Sequence, residues 1–326
     1  MRAYLISMTI VLGFSSTIQA QGQRRTTLLL VANKADSSVS FIDVAAGTTL
    51  GTATTGHRPH ELAVSPDGRL AFVANYGAGD SISVIDVADR KELRRIALGE
   101  YRDPHGIVVS HDGRTVYATC EANRAVIAID VANEKVVRSY PTGRDVTHML
   151  ALARDGRTLY TANIRNASVT AIDLNSSAIL AQIPTGAGCE GIDVAPDGRE
   201  VWTSNKVAES LSVIEVARRQ VVATLPCPGR PIRVKFSPDG RLALVTCARN
   251  NEVAVVDVAS RRELKRIAVG SAPIGLVIEP TGQRAYVANT EANNVSIIDL
   301  ARLKVSGTIT TGEEPDGLAV VALEQP

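Results

Sequence analysis

The chain has 326 residues, and its 35 Lys and Arg nearly balance 34 Asp and Glu, for a formal net charge of +1. Both signs are spread along the whole length, with no basic stripe and no acidic tail, so no nucleic-acid partner is expected. The length fits one large domain or two average ones, and the pattern along the chain has to decide between them.

The start of the chain differs from the rest. Arg2 gives a short positive beginning, residues 3–13 are almost wholly apolar, and residues 15–20 turn small and polar. That layout predicts a secretory signal over residues 1–20, cleaved after Ala20, with residues 21–326 as one exported domain, periplasmic or extracellular. A retained anchor is the alternative, but the apolar run is short for a bilayer. No second long apolar run follows, so no membrane span is expected after cleavage, and the mature protein is expected to be a soluble monomer.

From residue 27 onward the text repeats. Residues 27–33 read as a strand ending in Val-Ala-Asn, and residues 39–44 as another ending in an acid. The run Ser-Pro-Asp-Gly-Arg at 65–69 returns in variants whose glycines are Gly68, Gly113, Gly156, Gly198, Gly240 and Gly282, in steps of 45, 43, 42, 42 and 42. An apolar residue followed by an acid recurs seven times, the acids being Asp43, Asp86, Asp130, Asp173, Glu215, Asp257 and Asp299. A glycine closes each unit: Gly56, Gly99, Gly143, Gly186, Gly229, Gly270 and Gly312. Between these anchors lie short β-branched runs such as 70–75 and 81–87, bounded by turn-formers. The Asp-Gly pair is a hairpin turn. Each unit therefore reads as four antiparallel strands, which is one blade of a β-propeller.

Seven anchors predict an all-β, seven-bladed β-propeller. The chain enters inside a unit, with a second and third strand, and leaves after one extra first strand at 317–321. The C-terminal strand is thus expected to complete the blade begun by the N-terminal three, closing the ring without an exposed edge.

These residues, the Val-Ala-Asn runs at 31–33, 73–75 and 287–289 together with Val-Ser-Ile-Ile-Asp at 295–299 and the Ser-Pro-Asp-Gly-Arg turns, resemble the YVTN-repeat β-propeller family over residues 27–321. The resemblance implies the fold. It leaves the activity open, because the family and its relatives include surface-layer and periplasmic binding proteins, lactone hydrolases, streptogramin lyases, and haem or copper propellers. WD-repeat proteins fit less well, since no Trp-Asp pair occurs.

A site residue should break the repeat that scaffold residues obey. In the column eight residues before each hairpin glycine, at the top rim of the channel, stand His60, His105, His148, Glu190, Ile232, Ile274 and Asp316. Three of the five histidines of the chain lie there in consecutive blades. Such a rim could hold a divalent metal ion through His60, His105 and His148, or supply acid–base groups at His105, His148 and Glu190. The opposing expectation is that histidine after Pro59 or Pro104 simply packs at the loop entrance and bonds nearby carbonyls. Three blades span an arc of about 100°, which limits how closely the rings can converge. Arg58, Arg144 and Arg233 in the same loops add donors suited to an anion.

The remaining columns read as scaffold. The asparagines ending second strands, Asn33, Asn75, Asn163, Asn205 and Asn289, are expected to tie down the following loop, and the repeated acids to act as turn hubs. Cys120, Cys189, Cys227 and Cys247 show no Cys-x-x-Cys spacing. They read as small buried residues: Cys120 and Cys247 fall at the same point of blades three apart, too distant to bond, which leaves Cys189–Cys227 as the alternative bridge. No nucleophile elbow, phosphate-binding glycine loop, His-Glu-x-x-His or haem-attachment motif occurs. Three functions follow: a binding protein for a small anionic molecule, metal ion or protein partner; a metal-assisted lyase or lactone hydrolase; or a structural surface-layer repeat.

Overall fold

The computed structural model describes residues 25–324, and the signal expected over residues 1–20 lies outside them. Every regular element among the described residues is a strand, and the strands form seven four-stranded antiparallel sheets. Blade one joins the C-terminal strand Pro315–Glu324 to Arg25–Asn33, Ser38–Asp43 and Thr48–Thr54. Leu28 pairs with Val321 and Leu30 with Ala319 across that closure. Blades two to seven begin with Pro59–Val64, Pro104–Val109, Thr147–Leu152, Cys189–Val194, Pro231–Phe236 and Pro273–Ile278. The expected phase and blade number are what the structure has.

Burial explains the strand text. Second and third strands such as Leu70–Asn75 and Ser81–Asp86 are covered on both faces by neighbouring blades, so they read as nearly continuous apolar runs. The fourth strand is the outer edge, and Gln220–Pro226 alternates between exposed and half-buried positions. Phe72, Ile82 and Val84 of blade two pack with Ile107, Val116 and Ala118 of blade three in one apolar cluster. Apolar burial between blades is the main stabilising term, at roughly 25 cal/mol per Å².

The anchors are turn chemistry. Gly68, Gly113 and Gly240 have φ of 73, 73 and 71°, which the hairpin requires. Beside them Asp67 accepts bonds from the Ser65 hydroxyl and the Arg69 amide, and Asp239 does the same with Ser237 and Arg241. Six of the seven repeated acids cap the turn into strand four, as Asp43 does for the amides of Ala45 and Ala46, whereas Glu215 pairs with Arg218.

The asparagine column differs from its expected role. Each amide is tied chiefly to side chains of strand three: Asn75 donates to Ser81 and Ser83, and Asn205 to Ser210 and Ser212. Asn33, Asn163 and Asn289 repeat the arrangement. Blades three and six replace the whole motif together, with Cys120 against Ala125 and Ile127, and Cys247 against Glu252 and Ala254. The closing glycine belongs to the same unit, because a Cβ on Gly56 would lie 2.6 Å from the Asn75 amide and one on Gly270 2.6 Å from that of Asn289. All four cysteines are buried free thiols. The neighbour of Cys227 is Cys247, with the sulfurs 3.8 Å apart, whereas Cys189 meets Thr203. The Cys189–Cys227 pairing therefore does not occur.

Two outcomes follow. Asn205→Ala strands two buried hydroxyls, so chemical denaturation should show a loss of about 1–3 kcal/mol. The Ser65, Ser110 and Ser237 hydroxyls hold the carboxyls of Asp67, Asp112 and Asp239 below the usual carboxylate range, Asp239 at about 2. Their stabilisation is present above the unfolded value near 4 and is lost as pH falls toward about 2. Calorimetric Tm should drop through that window, and less steeply in Asp239→Asn.

Candidate functional site

One backbone hydrogen bond, repeated in all seven blades, builds the channel mouth. The residue just before each first strand is left-handed: Arg58, Asp103, Val146, Gly188, Arg230, Ala272 and Glu314 have φ between 46 and 75°. Its carbonyl accepts the amide of the residue just after the second strand. The bonds are Tyr76 to Arg58, Glu121 to Asp103, Ile164 to Val146, Lys206 to Gly188, Ala248 to Arg230, Thr290 to Ala272 and Lys34 to Glu314, at 2.9 to 3.1 Å. Two residues beyond each left-handed residue stands the rim position. Each blade thus sets one rim residue beside one residue of the loop after strand two.

On the histidine side the rings touch. His60 and His105 have centroids 4.9 Å apart, and His105 and His148 3.7 Å apart. Tyr76 stacks on His60 at 4.8 Å. The separation that seven-fold geometry threatened is closed by these side chains reaching inward. Glu121 sits at the centre. Its Oε2 accepts the Tyr76 hydroxyl at 3.1 Å and its Oε1 meets His148 Nδ1 at 2.5 Å. An ionised carboxylate only accepts, so Nδ1 is the donor of this bond and Nε2 is the ring nitrogen outside it. That Nε2 lies 3.7 Å from Glu190 Oε1, and the other oxygen of Glu190 is paired with Lys206.

His105 is buried, and its Nδ1 has no hydrogen-bond partner among the described residues. Burial, reinforced by neighbouring His148 and His60, pushes its imidazole well below the usual histidine range. Burial likewise lowers His60, partly offset by Asp316. Both rings are therefore neutral near pH 7, the form that binds metals. His105, Glu121 and His148 each offer a ligand atom, all within 4.8 Å of one another. His60 is outside that group and has its Nδ1 on the Arg58 carbonyl at 2.9 Å.

Below this cluster an ion-pair network crosses the channel. Arg233 of blade six is 3% exposed and grips Glu61 of blade two through Nε and Nη2. Its Nη2 lies 4.0 Å from Asp316 of blade one, and Asp316 is paired with Lys34 at 3.2 Å. Glu61 and Arg233 occupy the position after the rim, which is glycine in four blades. There a Cβ would strike the next blade's backbone, as Gly275 shows against the Asp316 carbonyl at 1.8 Å. Arg233 Nη1 and Asp316 Oδ1 have no hydrogen-bond partner among the described residues.

Of the residues singled out from sequence, the structure brings His60, His105, His148, Glu190, Arg233 and Asp316 to this mouth. Arg58 and Arg144 are elsewhere: Arg58 pairs with Glu314 on the exposed loop surface, and Arg144 turns outward to Gln182 on the outer strand Ile179–Pro184. Five residues escaped the sequence reading: Lys34, Glu61, Tyr76, Glu121 and Lys206. Four of them stand directly after a second strand, in a column reading Lys34, Tyr76, Glu121, Ile164, Lys206, Ala248 and Thr290. Its irregularity beside a regular asparagine column was the available signal.

The class these features define is a seven-bladed β-propeller whose channel mouth carries a histidine–carboxylate cluster. The YNCE-like beta-propeller family model matches residues 180–281. In three dimensions the chain is similar to Kuenenia stuttgartiensis hydrazine synthase, with 25% identity, 84% of this chain and 92% of that one covered, and a TM-score of 0.77. It is also similar to the periplasmic gluconolactonase PpgL of Pseudomonas aeruginosa, at 21% identity, 90% and 99% coverage and a TM-score of 0.75. A third similar structure is dihydro-heme d1 dehydrogenase NirN in complex with DHE, at 16% identity, 90% and 74% coverage and a TM-score of 0.68. No curated protein matches the chain. Neighbours this varied in activity share a fold, so function has to be argued from the site.

Removing one partner of the buried pair leaves an uncompensated charge. Arg233→Ala should cost about 3–5 kcal/mol in guanidinium denaturation, and adding Glu61→Leu should recover much of that loss.

Proposed function

We propose that the protein is an exported binding propeller whose channel mouth takes one divalent transition-metal ion on His105, His148 and Glu121. The observation that carries this reading is the convergence of those three ligand atoms within 4.8 Å around a buried, neutral imidazole with an unused nitrogen. Two imidazoles and one carboxylate suit Zn²⁺, Cu²⁺ or Ni²⁺ better than Ca²⁺ or Mg²⁺, which prefer all-oxygen sites. Small side-chain rotations draw donors at this spacing onto one ion at about 2.1 Å. Charge supports a cation. Glu61, Glu121, Glu190 and Asp316 outnumber Lys34, Lys206 and Arg233 by one, so the mouth is net negative when its histidines are neutral. That balance weighs against a free anion as the first ligand.

A second reading rests on the 2.5 Å contact between Glu121 and His148, which leaves Nε2 as an oriented general base of the kind lactone hydrolysis uses. Turnover of a sugar lactone that survives His105→Ala and disappears in His148→Ala would favour it.

Isothermal titration of metal-stripped protein with Zn²⁺ should show one equivalent bound. His105→Ala and Glu121→Ala should each weaken binding by about 10-fold or more, whereas His60→Ala should change it little. Absence of stoichiometric binding to the native protein, or equal loss in all three variants, overturns the assignment.

A further inference from the structure

Directly beneath the proposed metal ligands the network leaves one donor group unspent. Arg233 is buried, its Nε and Nη2 are committed to Glu61, and its Nη1 meets no acceptor among the described residues. The guanidinium is bound to Glu61, the residue directly after His60, whose ring lies 4.9 Å from that of His105, so the ion-pair network adjoins the histidine cluster. An unused N–H pair on a buried cation is costly unless something accepts from it. On the remaining arc of the rim, the column that holds the histidines supplies Ile232 and Ile274 instead. Ile232 is buried and Ile274 half-buried, so this side of the mouth is apolar.

Charge decides what fits there. Without metal the mouth carries one carboxylate in excess, and a further anion is opposed. A divalent ion reverses that sign and leaves room for one negative charge. From this arrangement we propose that the metal-loaded mouth binds a short-chain monocarboxylate. One carboxylate oxygen lies on the metal, the other accepts from Arg233 Nη1, and the hydrocarbon rests against Ile232 and Ile274. The inference rests on the metal assignment above and adds the class of the second ligand. It makes the site ordered: metal first, carboxylate second. No bond is made or broken in the protein, and the planar fork of arginine is suited to carboxylate oxygens in a way that a lysine point charge is not.

The test is a linkage measurement with propionate as the probe. Zn²⁺ affinity is titrated with and without saturating propionate, and propionate affinity with and without Zn²⁺. The two couplings must agree, and a tightening of about 10-fold in each is expected. In Arg233→Lys, which keeps a cation opposite Glu61, the ratio should fall close to one. Propionamide, similar in shape but neutral, should give no coupling. If Zn²⁺ does not bind at all, the metal reading itself fails. If Zn²⁺ binds with the same affinity in the presence and absence of propionate, only the carboxylate inference is overturned. Because the wild-type comparison is complete without any variant, a misfolded Arg233→Lys leaves the result decisive.

Discussion

The hydrogen bond from the residue after each second strand to the left-handed residue before each first strand organises this molecule's upper face. It spans no great distance and is worth no more than any other backbone bond. Its importance is positional. It fixes the loop entering the channel wall against the loop leaving the neighbouring strand, so that two side chains per blade are presented to the axis in a constant relation. Arg58 holds Tyr76 over His60, and Asp103 places Glu121 where it meets His148. Without that tie, proximity of the two columns would depend on loop conformation alone.

This constraint separates scaffold from chemistry. The asparagine and its side-chain partners on strand three serve as one hydrogen-bonded unit in five blades, with the closing glycine packed against it in four, and where the asparagine becomes Cys120 or Cys247 those partners change with it. The motif is exchanged whole because a buried amide without acceptors, or hydroxyls without an amide, leaves unpaired polar groups. The two presented columns obey no such rule. They vary from lysine to tyrosine to isoleucine with no change in the backbone around them, which is how one ring comes to serve many activities.

The ring was legible in the sequence because turns and closed edges admit few residues. Gly68 and its five recurrences mark hairpins that need positive φ, and the phase of the first and last strands dictates the closure. The rim histidines were legible as departures from a repeat. Glu121 was not, because the residue that delivers it, Asp103, is a left-handed non-glycine with no compositional mark. The Glu61–Arg233 pair was also out of reach, since its members lie 172 positions apart and meet only across the channel. Arg233 was singled out as an anion donor, and the structure adds that its charge is first spent on holding opposite walls of the channel together.

Asp316 lies on the strand that seals the ring, so one residue is both a latch and part of the channel lining. During synthesis, Glu61, the histidines and Arg233 all emerge before it. A chain of six and three-quarter blades holds Lys34 and both members of the Glu61–Arg233 pair, yet lacks the carboxylate that neutralises Lys34. Docking of the last strand then completes the barrel edge and quenches a stray positive charge in the same event. Completion of the mouth is thus tied to closure of the ring, because the strand that seals blade one also carries a residue of the channel lining.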